Sequence, residues 1–426
     1  LSSTGLCLVI GRSALTRFLF KTNKSLRFQL TATRWWSTAA IEENTTAGKK
    51  NAKIIIPAPE PGRIQAAILN NFSGPLQIEN IEIPKILEPK EVLIDVHYCA
   101  LNGPDMLLTE NSYTYEPKLP QILGYEIVGE LLGVGEDAVK SGYKIGDKVI
   151  ALNKERFGGF AETCTAEIGD IWKVPNSVKL LDAVCLLDCY GTALIGLEKR
   201  ASIEENDMVL VNVGIGGVGL AAVDLAANVF RSQVIGVCAS EDRTTLVREK
   251  GAFASLKFHD KTLMKQLANV AAEKDIKAIF EGVAGDNFKK VLSCFTNVYK
   301  SGLVKDLLND NEFSVVIQHL SREGRVIVAG LAAVPKDDSS DTAKSGSFSV
   351  TGVSLQEYRK KDHELYRSAG DEVLEFFEEG LISPSHSLVA GLYKINSAIQ
   401  FITEMKSSGK VVIDLKNKEV FTEKFD

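Results

Sequence analysis

The stretch "VLVNVGIGGVGLAAVDLAANVF" constrains the fold more than any other part of the chain. A buried apolar run ends in a glycine-rich turn, and an apolar helical pattern follows directly. With this spacing, Gly214 permits the tight turn, Gly216 lets the backbone approach a pyrophosphate, and Gly219 lets the helix pack on the strand. The N–H groups at the helix start then bind phosphate oxygens. The motif predicts a dinucleotide-binding unit.

Strand and helix patterns alternate around this motif. Between residues 186 and 345, apolar runs are separated by helical segments, which is typical of a doubly wound parallel sheet. Residues 63–185 contain short apolar runs punctuated by Gly, Pro and Asn, the pattern of β-strands. We expect residues 346–426 to return and complete this first domain. The predicted fold class is therefore α/β, with a mostly β domain and a doubly wound domain.

The end of the second predicted strand indicates which dinucleotide is favoured. An acid there would bind the ribose 2′-hydroxyl and repel a 2′-phosphate. The segment "QVIGVCASEDR" instead ends in Cys238 and Ser240, and the guanidinium of Arg243 is suited to a phosphate. This favours NADP(H). The adjacent acids Glu241 and Asp242 leave open the alternative that Arg243 is a solvated residue of the helix that follows.

The first 36 residues have the composition of an organelle import signal. They contain six basic residues, many Ser and Thr, and no acid, as in amphipathic transit peptides. "TRWWSTAA" resembles a mitochondrial processing site, with Arg34 three residues before a cut at Ser37. We therefore expect a transit peptide at 1–36 and a matrix protein; a merely basic tail is the alternative. Residues 37–62, polar and then Pro-rich, predict a flexible linker.

The charge of the chain without its leader argues against nucleic-acid binding. Removing six basic residues leaves 43 Lys and Arg against 55 Asp and Glu, a net charge of about −12, whereas nucleic-acid binding needs a basic face. No run of about 18 apolar residues occurs, so no membrane span is expected. The seven cysteines are scattered and fit neither a disulfide framework nor a four-thiolate zinc site.

Ordered motifs over residues 63–417 resemble the quinone oxidoreductase (zeta-crystallin) branch of the medium-chain dehydrogenase/reductases. They are "EVLIDVHYCALNGPDM", "LPQILGYEIVGE", "GDKVIAL", "GGFAETC", "CYGTALIGLEKRA", the glycine motif, "GRVIVAG" and "GKVVI". The resemblance implies a GroES-like substrate domain split around a Rossmann domain, with the nicotinamide in the cleft between them. It also implies a homodimer.

Zinc-dependent relatives place metal ligands where this chain has Asn102, Tyr125 and Asp188. Cys189 lies beside the last of these positions, but one soft residue does not replace a three-ligand catalytic set. The segment "ALNKERFGGFAE" also lacks the cysteines of a structural zinc lobe. The resemblance therefore implies an enzyme that holds no metal.

The chemistry that remains without zinc is hydride transfer from NADPH to a quinone or an α,β-unsaturated carbonyl. By the resemblance, Asn102 and Tyr113 are the catalytic residues that line the acceptor site; Tyr113 either anchors the nicotinamide or donates a proton. Thr192 in "YGTA" would contact the nicotinamide. The predicted cofactor-binding residues are Thr192, Gly214, Gly216, Gly217, Val218, Gly219, Ser240, Arg243 and Gly330.

Two other functions stay open on the sequence alone. A 2-enoyl-thioester reductase shares the tyrosine and the missing zinc, and it would oxidise NADPH with enoyl-CoA but not with quinones. A regulatory protein would bind NADPH without turning it over. Residues 296–314 resemble an insertion of unassigned role before the "GRVIVAG" strand.

Overall fold

In a computed structural model of the chain, the residues described are 56–86, 88–111, 117–214, 216–257, 263–270, 274, 276–282, 320–329 and 349–424. Several predicted features lie outside these residues. They are the transit peptide 1–36, the linker up to residue 55, the insertion 296–314, Tyr113 and Gly330.

Strands occur along the whole described chain. In chain order they are β1 (Arg63–Leu69), β2 (Gln77–Glu82), β3 (Glu91–Leu101), β4 (Gln121–Ile122), β5 (Glu126–Val134), β6 (Lys148–Leu152), β7 (Thr163–Glu167), β8 (Ile171–Lys173), β9 (Met208–Asn212), β10 (Gln233–Cys238), β11 (Ala254–Lys257), β12 (Ile276–Glu281), β13 (Leu320–Ala329), β14 (Ser349–Val353), β15 (His386–Gly391), β16 (Lys410–Asp414) and β17 (Phe421–Glu423).

Helices separate many of these strands. They are α1 (Gly103–Thr109), α2 (Glu136–Lys140), α3 (Leu180–Ala183), α4 (Leu187–Ile195), α5 (Gly217–Asp224), α6 (Glu241–Glu249), α7 (Leu263–Val270), α8 (Leu355–Lys361), α9 (His363–Glu378) and α10 (Ile395–Thr403). α4 and α5 each continue into a π-helical turn, Gly196–Ala201 and Leu225–Val229. Among the helices described, none has the length and apolar character needed to cross a bilayer.

The doubly wound domain is built on parallel strands in the order β11-β10-β9-β12-β13-β14. Its central strand β9 has the sequence MVLVN and is buried along its whole length, as expected for a strand covered on both faces. α5 connects β9 to β10 and α6 connects β10 to β11, which are βαβ crossovers. The predicted α/β fold class is confirmed. β14 lies in the range predicted to return to the first domain, yet it pairs with β13.

The mostly β domain contains a larger sheet in the order β17-β15-β16-β3-β5-β6-β8, with β7 also paired to β3. Its pairs are antiparallel except β15 with β16. β16, from the end of the chain, pairs with β3 from its beginning. A smaller sheet, β2-β1-β4, is attached where the Ala67 N–H donates to the Phe160 carbonyl. The C-terminal strands therefore complete the first domain.

Trp172 of β8 is fully buried against α9. A Cβ on Gly370 would lie only 2.4 Å from the indole ring, so only glycine allows this approach. The indole N–H donates to the Arg367 carbonyl at 3.2 Å. Nearby, Arg359 of α8 makes a two-pronged ion pair with Asp170. Apolar packing and a bidentate ion pair together hold α8 and α9 against the mostly β domain.

Candidate active site

The glycine turn lies between β9 and α5, as the motif predicts. α5 begins at Gly217, and Gly216 precedes it with extended backbone angles, φ −83° and ψ −179°. A Cβ on Gly219 would lie 3.0 Å from Val213 Cα, and one on Gly217 would lie 2.7 Å from Cys189 Sγ. Close packing therefore requires glycine at positions 217 and 219.

Gly216 differs from its neighbours because it faces open space. A Cβ at this position would meet no described atom within 4 Å. The space lies at the N-terminus of α5, where helix N–H groups lack intrahelical acceptors and the helix dipole favours an anion. A phosphate group fits these conditions, so the turn is suited to the pyrophosphate of a dinucleotide.

A buried hydrogen bond fixes the strands behind the turn. Asn212 Nδ2 lies 3.1 and 3.0 Å from the two carboxylate oxygens of Glu281. A Cβ on Gly282 would lie 2.9 Å from the Asn212 carbonyl oxygen. These three residues hold the ends of β9 and β12 together, and the glycine motif alone did not indicate them.

The tip of β10 carries no carboxylate, as the sequence indicates. Cys238 is buried there, and Ser240 is half-buried and precedes α6 as its N-cap residue. The first acid, Glu241, is paired with Lys257 at 2.8 Å on the surface. Ser240 is therefore the polar side chain at the strand tip.

Arg243 is not a solvated residue, because its side chain is buried against the chain that leads into β16. Nη2 donates to the carbonyls of Met405 at 2.7 Å and Ser407 at 3.0 Å, and Nε donates to Ser408 Oγ at 3.3 Å. Burial lowers the pKa of the guanidinium, while Cys238 and Asp242 oppose that shift. In the structure Arg243 thus ties the two domains together, and its predicted role toward a 2′-phosphate stays a prediction.

Thr192 lies on α4 with its hydroxyl directed into the helix. Its Oγ1 donates to the Asp188 carbonyl at 2.7 Å, and the side chain is buried. The hydroxyl is therefore used within α4, and a contact with the nicotinamide would involve the methyl group or the remaining acceptor capacity of the oxygen. Val218, in the first turn of α5, is half-buried.

Asn102 is the N-cap residue of α1, and its side chain enters a buried ionic network. Its Nδ2 donates to Glu126 Oε2 at 3.1 Å, and its Oδ1 accepts from Lys410 Nζ. Both ends of the amide are therefore occupied, which determines its orientation. The predicted acceptor-site residue is held rigidly by two charged groups.

Lys410 and Glu126 form the centre of this network. Their ammonium and carboxylate are in direct contact, with only 3% of the lysine side chain and none of the glutamate exposed. Glu126 Oε1 also accepts the backbone N–H of Asp188 at 2.9 Å. Lys410 comes from β16, Glu126 from β5 and Asp188 from α4, so the network joins both domains. A Cβ on Gly217 would lie 3.6 Å from Lys410 Cε, which places the network directly beneath the glycine turn.

Burial and neighbouring charges compete in setting the pKa values of this pair. Burial raises the pKa of Glu126, and Lys410 opposes the rise without cancelling it. Burial alone would lower the pKa of Lys410, but Cys189, Glu126 and Asp188 outweigh it and raise the pKa well above its usual value. The lysine therefore stays charged at neutral pH.

Tyr125 and Asp188, two of the residues at metal-ligand positions of zinc-dependent relatives, lie in contact. Tyr125 Oη donates to Asp188 Oδ2 at 2.9 Å. Asp188 Oδ1 forms an ion pair with Lys154, whose Nζ also lies 4.8 Å from the centre of the Tyr125 ring. Burial raises the pKa of Asp188, but Lys154 and Lys410 outweigh it and hold the pKa below its usual value. Asp188 is therefore an ionised carboxylate with a cationic partner.

Asp105 supports the network from behind. It is fully buried and accepts the backbone N–H groups of Asn102 at 3.0 Å and Gly124 at 2.9 Å. Burial is the main cause that raises its pKa to about 7, and the two N–H donors only partly offset it. Asp105 thus positions Asn102, and the free energy needed to bury its carboxyl group depends on pH.

No cluster of three or more His, Cys, Asp and Glu side chains suited to a metal ion occurs in the described parts of the chain. At the three positions that hold zinc in metal-dependent relatives, the side chains are instead engaged with the ammonium groups of Lys154 and Lys410. Zinc independence stays a prediction, and the chemistry of this donor set is consistent with it.

Sequence reasoning missed Lys154, Glu126, Lys410 and Asp105. The available signal was a charged residue beside an apolar strand, as in "GYEIVG" and "GKVVIDL". Lys and Glu are almost never fully buried unless they are paired. A charge within a strand predicted to be buried therefore implies a partner elsewhere in the chain.

Comparison with known proteins agrees with this geometry. Residues 88–176 match the alcohol dehydrogenase GroES-like domain family. Quinone oxidoreductase-like protein 2 of Mus musculus is 30% identical over 83% of this chain and 92% of its own length. Its homolog from Nematostella vectensis is 32% identical over 83% and 89%. The structure of Escherichia coli quinone oxidoreductase complexed with NADPH superposes with a TM-score of 0.66 at 19% identity, covering 83% of this chain and 99% of that one.

The family assignment follows from the two relatives, and the structural likeness independently confirms the fold. The predicted quinone oxidoreductase branch of the medium-chain dehydrogenase/reductases is confirmed by these relatives. The chain belongs to the quinone oxidoreductase-like protein 2 family and is an oxidoreductase of the medium-chain dehydrogenase/reductase type.

Proposed function

We propose that this protein is a zinc-independent, NADPH-dependent reductase that delivers hydride to a quinone or an α,β-unsaturated carbonyl. The observation that carries the proposal is the open space at Gly216, at the N-terminus of α5, directly above a buried network of lysines and carboxylates. The reduced nicotinamide, when bound, supplies the hydride. The residues of the chain bind the cofactor, orient the acceptor and stabilise negative charge.

The preference for NADPH rests on the tip of β10. A carboxylate there would repel a 2′-phosphate, and the strand instead ends in Cys238 and Ser240. Glu241, the first acid beyond, is already paired with Lys257. The name of the Escherichia coli quinone oxidoreductase structure, a complex with NADPH, adds support from a protein of the same fold.

The acceptor class follows from the charges at the site. Alcohol oxidation in zinc enzymes relies on a Lewis acid to polarise oxygen. Here Asn102 and Asp188, at two of the corresponding positions, contact the ammonium groups of Lys410 and Lys154, and an ammonium stabilises an oxyanion that forms on an already activated acceptor. Quinones and enones are such acceptors, and the names of the relatives support the quinone.

The test combines cofactor binding with turnover. NADPH at 100 times its dissociation constant should stabilise the protein against unfolding by about 2.7 kcal/mol, and NADH should stabilise it less. Gly216→Ala should leave the unfolding temperature of the free protein unchanged, because its Cβ meets no described atom. The same variant should lose the NADPH-dependent rise, because its Cβ occupies the space of the phosphate. A free protein that is as unstable as Gly219→Ala would contradict this assignment.

Oxidation assays then separate the three candidate functions. NADPH oxidation by quinones or enals supports the proposal. Oxidation by enoyl-CoA alone would identify a 2-enoyl-thioester reductase. Binding of NADPH without turnover on any acceptor would identify a regulatory protein, and zinc bound in a one-to-one ratio would overturn the metal-free mechanism.

We also propose that residues 1–36 direct the chain to the mitochondrial matrix and that the mature protein is a homodimer. Both rest on the sequence. Fusing residues 1–60 to a fluorescent protein should send it to mitochondria, whereas replacing the six leader basic residues by Gln should leave it in the cytosol. Light scattering on the protein beginning at Ser37 should give twice the mass of one chain.

A further inference from the structure

The site contains two lysines in different environments. Lys410 is sealed, with 3% of its side chain exposed, and contacts Asn102 and Glu126. Lys154 lies in the loop after β6 and keeps 16% of its side chain exposed. Lys154 is therefore the lysine of this network that is more accessible from solvent.

The contacts of Lys154 leave room for a ligand. An ammonium group has three N–H donors. One side of the Lys154 ammonium faces Asp188, which is its ion-pair partner among the described residues, and another faces the Tyr125 ring at 4.8 Å. The Lys154 side chain as a whole is 16% exposed. Asp188 thus holds the ammonium in place, and with one ion-pair partner among the described residues for three N–H donors, the ammonium keeps N–H capacity for an anionic oxygen.

Lys154 is connected to the glycine turn through contacts made by two residues of α4. Asp188 lies in the first turn of α4, and the next residue, Cys189, lies against Gly217 at the start of α5. Lys154 is therefore linked to the glycine turn through Asp188 and Cys189.

We propose that Lys154 is a catalytic residue that binds the oxyanion forming on the reduced acceptor and supplies the proton that completes the reduction. The inference rests on the proposed function, because it requires an acceptor that takes up hydride. It assigns an acid to a residue that neither the motifs nor the family resemblance indicated.

The step balances in atoms and electrons. An enone gains a C–H bond at its β-carbon from the hydride that the reduced nicotinamide would supply. The C=C electrons form the new double bond between the α-carbon and the carbonyl carbon, and the π electrons of the C=O bond move to the oxygen. The Lys154 N–H bond breaks and an O–H bond forms, giving an enol that tautomerises to the saturated ketone. For a quinone, the proton goes to the phenolate oxygen and gives the hydroquinone. The nicotinamide is oxidised by two electrons, and the neutral amine regains a proton from water.

The first arm of the test needs no cofactor and no turnover. The probe is 4-nitrophenol, whose phenolate absorbs visible light, so that binding of the anion to the free protein is measured by difference absorbance. Lys154→Met should weaken phenolate binding by about 10- to 100-fold, because a hydrogen bond to a charged group is lost. Lys154→Arg keeps the charge and should retain most of the affinity.

Lys418→Met is the matched control. Lys418 forms an ion pair with Glu162, lies 5.8 Å from the Tyr393 ring and is 17% exposed. It therefore reproduces the ion pair, the aromatic neighbour and the exposure of Lys154 at a position away from the glycine turn. This variant should bind phenolate and NADPH as the wild type does.

The second arm measures turnover with the quinone or enone that the wild type accepts. Lys154→Met should lower kcat by about 100-fold or more, the range found when one oxyanion donor is removed, while NADPH affinity stays unchanged. If Lys154→Met does not fold, the double variant Lys154→Met with Asp188→Asn removes both charges and should show the same two losses. Lys418→Met with Glu162→Gln is then its control.

The outcomes separate this inference from the proposed function. If the wild type turns over no acceptor, the proposed function is overturned. The catalytic role of Lys154 is then overturned with it. An active wild type whose Lys154→Met variant binds phenolate and turns over as before overturns the inference alone. A loss of NADPH binding in Lys154→Met would show a structural role and would also overturn it.

Discussion

Helix α4 contributes to two clusters with the same three residue types. The cleft cluster consists of Lys154, Asp188 and Tyr125, and the inner cluster of Lys250, Asp224 and Tyr190. In both, a tyrosine hydroxyl donates to the aspartate, at 2.9 Å in the cleft and 2.6 Å in the inner cluster. Asp188 and Tyr190 are two residues apart on α4 and so lie on different sides of the helix.

The two clusters differ in how completely they are closed. Asp224 also accepts from Asn228 Nδ2 and from the Ser383 N–H, both at 2.8 Å. Lys250 Nζ lies 3.4 Å from Asp224 and 3.0 Å from Ser383 Oγ, and only 5% of its side chain is exposed. Burial lowers the pKa of Lys250, which Asp224 only partly opposes. The inner cluster is saturated with protein partners and is structural, whereas the cleft cluster keeps one cation within reach of solvent.

The largest effect should come from the pair beneath the cleft cluster, which has no counterpart in the inner one. Lys410→Met leaves Glu126 buried with two N–H donors and no cation. It should lower the free energy of unfolding by about 3 to 5 kcal/mol, as measured by urea denaturation. Adding Glu126→Gln should recover much of this loss. Equal stabilities for the single and double variants would mean that the uncompensated charge is not the cause.

Lys250→Met and Lys154→Met compare the clusters directly. The inner variant should lose about 2 kcal/mol, because Asp224 stays buried and keeps only its three neutral donors. The cleft variant should lose about 1 kcal/mol or less, since its ion pair is partly exposed to solvent. Urea denaturation measures both. NADPH affinity should be unchanged in each, and an equal loss of stability would break the distinction between them.

Asp105 belongs to the network around the cleft cluster, and its carboxyl group should make the free energy of unfolding depend on pH. The inner cluster has no such group in this prediction. Its pKa is about 7 in the folded protein against an ordinary value of 3.8, so the folded state holds the proton more tightly. The stabilisation of the folded state by protonated Asp105 is therefore fully present below pH 3.8. It is lost as pH rises through about 7, and the free energy of unfolding falls by about 1.4 kcal/mol per pH unit at most.

Asp105→Asn removes this titration. The stability difference between the variant and the wild type should therefore change in favour of the variant as pH rises from 4 to 7. Thermal unfolding across this range measures the change. A constant difference would mean that Asp105 has an ordinary pKa. Asp137→Asn, at an exposed carboxylate whose pKa is lowered chiefly by its hydrogen bond to Lys140, is the control and should show no such trend.

The smallest expected effect distinguishes the two tyrosines. Tyr190→Phe should cost about 1 kcal/mol, because no water replaces the hydroxyl beside fully buried Asp224. Tyr125→Phe should cost less than Tyr190→Phe, since 12% of the Asp188 side chain is exposed to water against 1% of the Asp224 side chain. Thermal unfolding resolves the order, and a reversed order would show that solvent access does not explain the difference between the clusters.

Local patterns predicted the features whose causes are local. The glycine turn was predictable because Gly214, Gly216 and Gly219 lie within six positions and all three are at the junction between one strand and the helix that follows it. The parallel sheet was predictable because strands covered on both faces are apolar throughout. The exception was β14, which the sequence placed with the returning segment and the structure pairs with β13.

Pairings between distant residues were not predictable in this way. Lys410 and Glu126 are 284 positions apart, and Lys410 and Asn102 are 308 apart. Arg243 lies just after a strand, where an arginine that binds a phosphate would lie. In the structure its guanidinium donates to the carbonyl groups of residues 405 and 407. Because every residue has a carbonyl group, the sequence does not indicate which ones are the acceptors. Neither residue type nor spacing carries that information.

The sequence by itself determined the glycine turn, the fold class and the absence of an acid at the tip of β10, because each depends on residues that are close along the chain. Only the tertiary structure decided which charges meet. It buried Lys410 against Glu126 and left Lys154 partly exposed, since burial depends on how the last strands return to the first sheet. The difference between a structural lysine and one available to a ligand is therefore a property of packing.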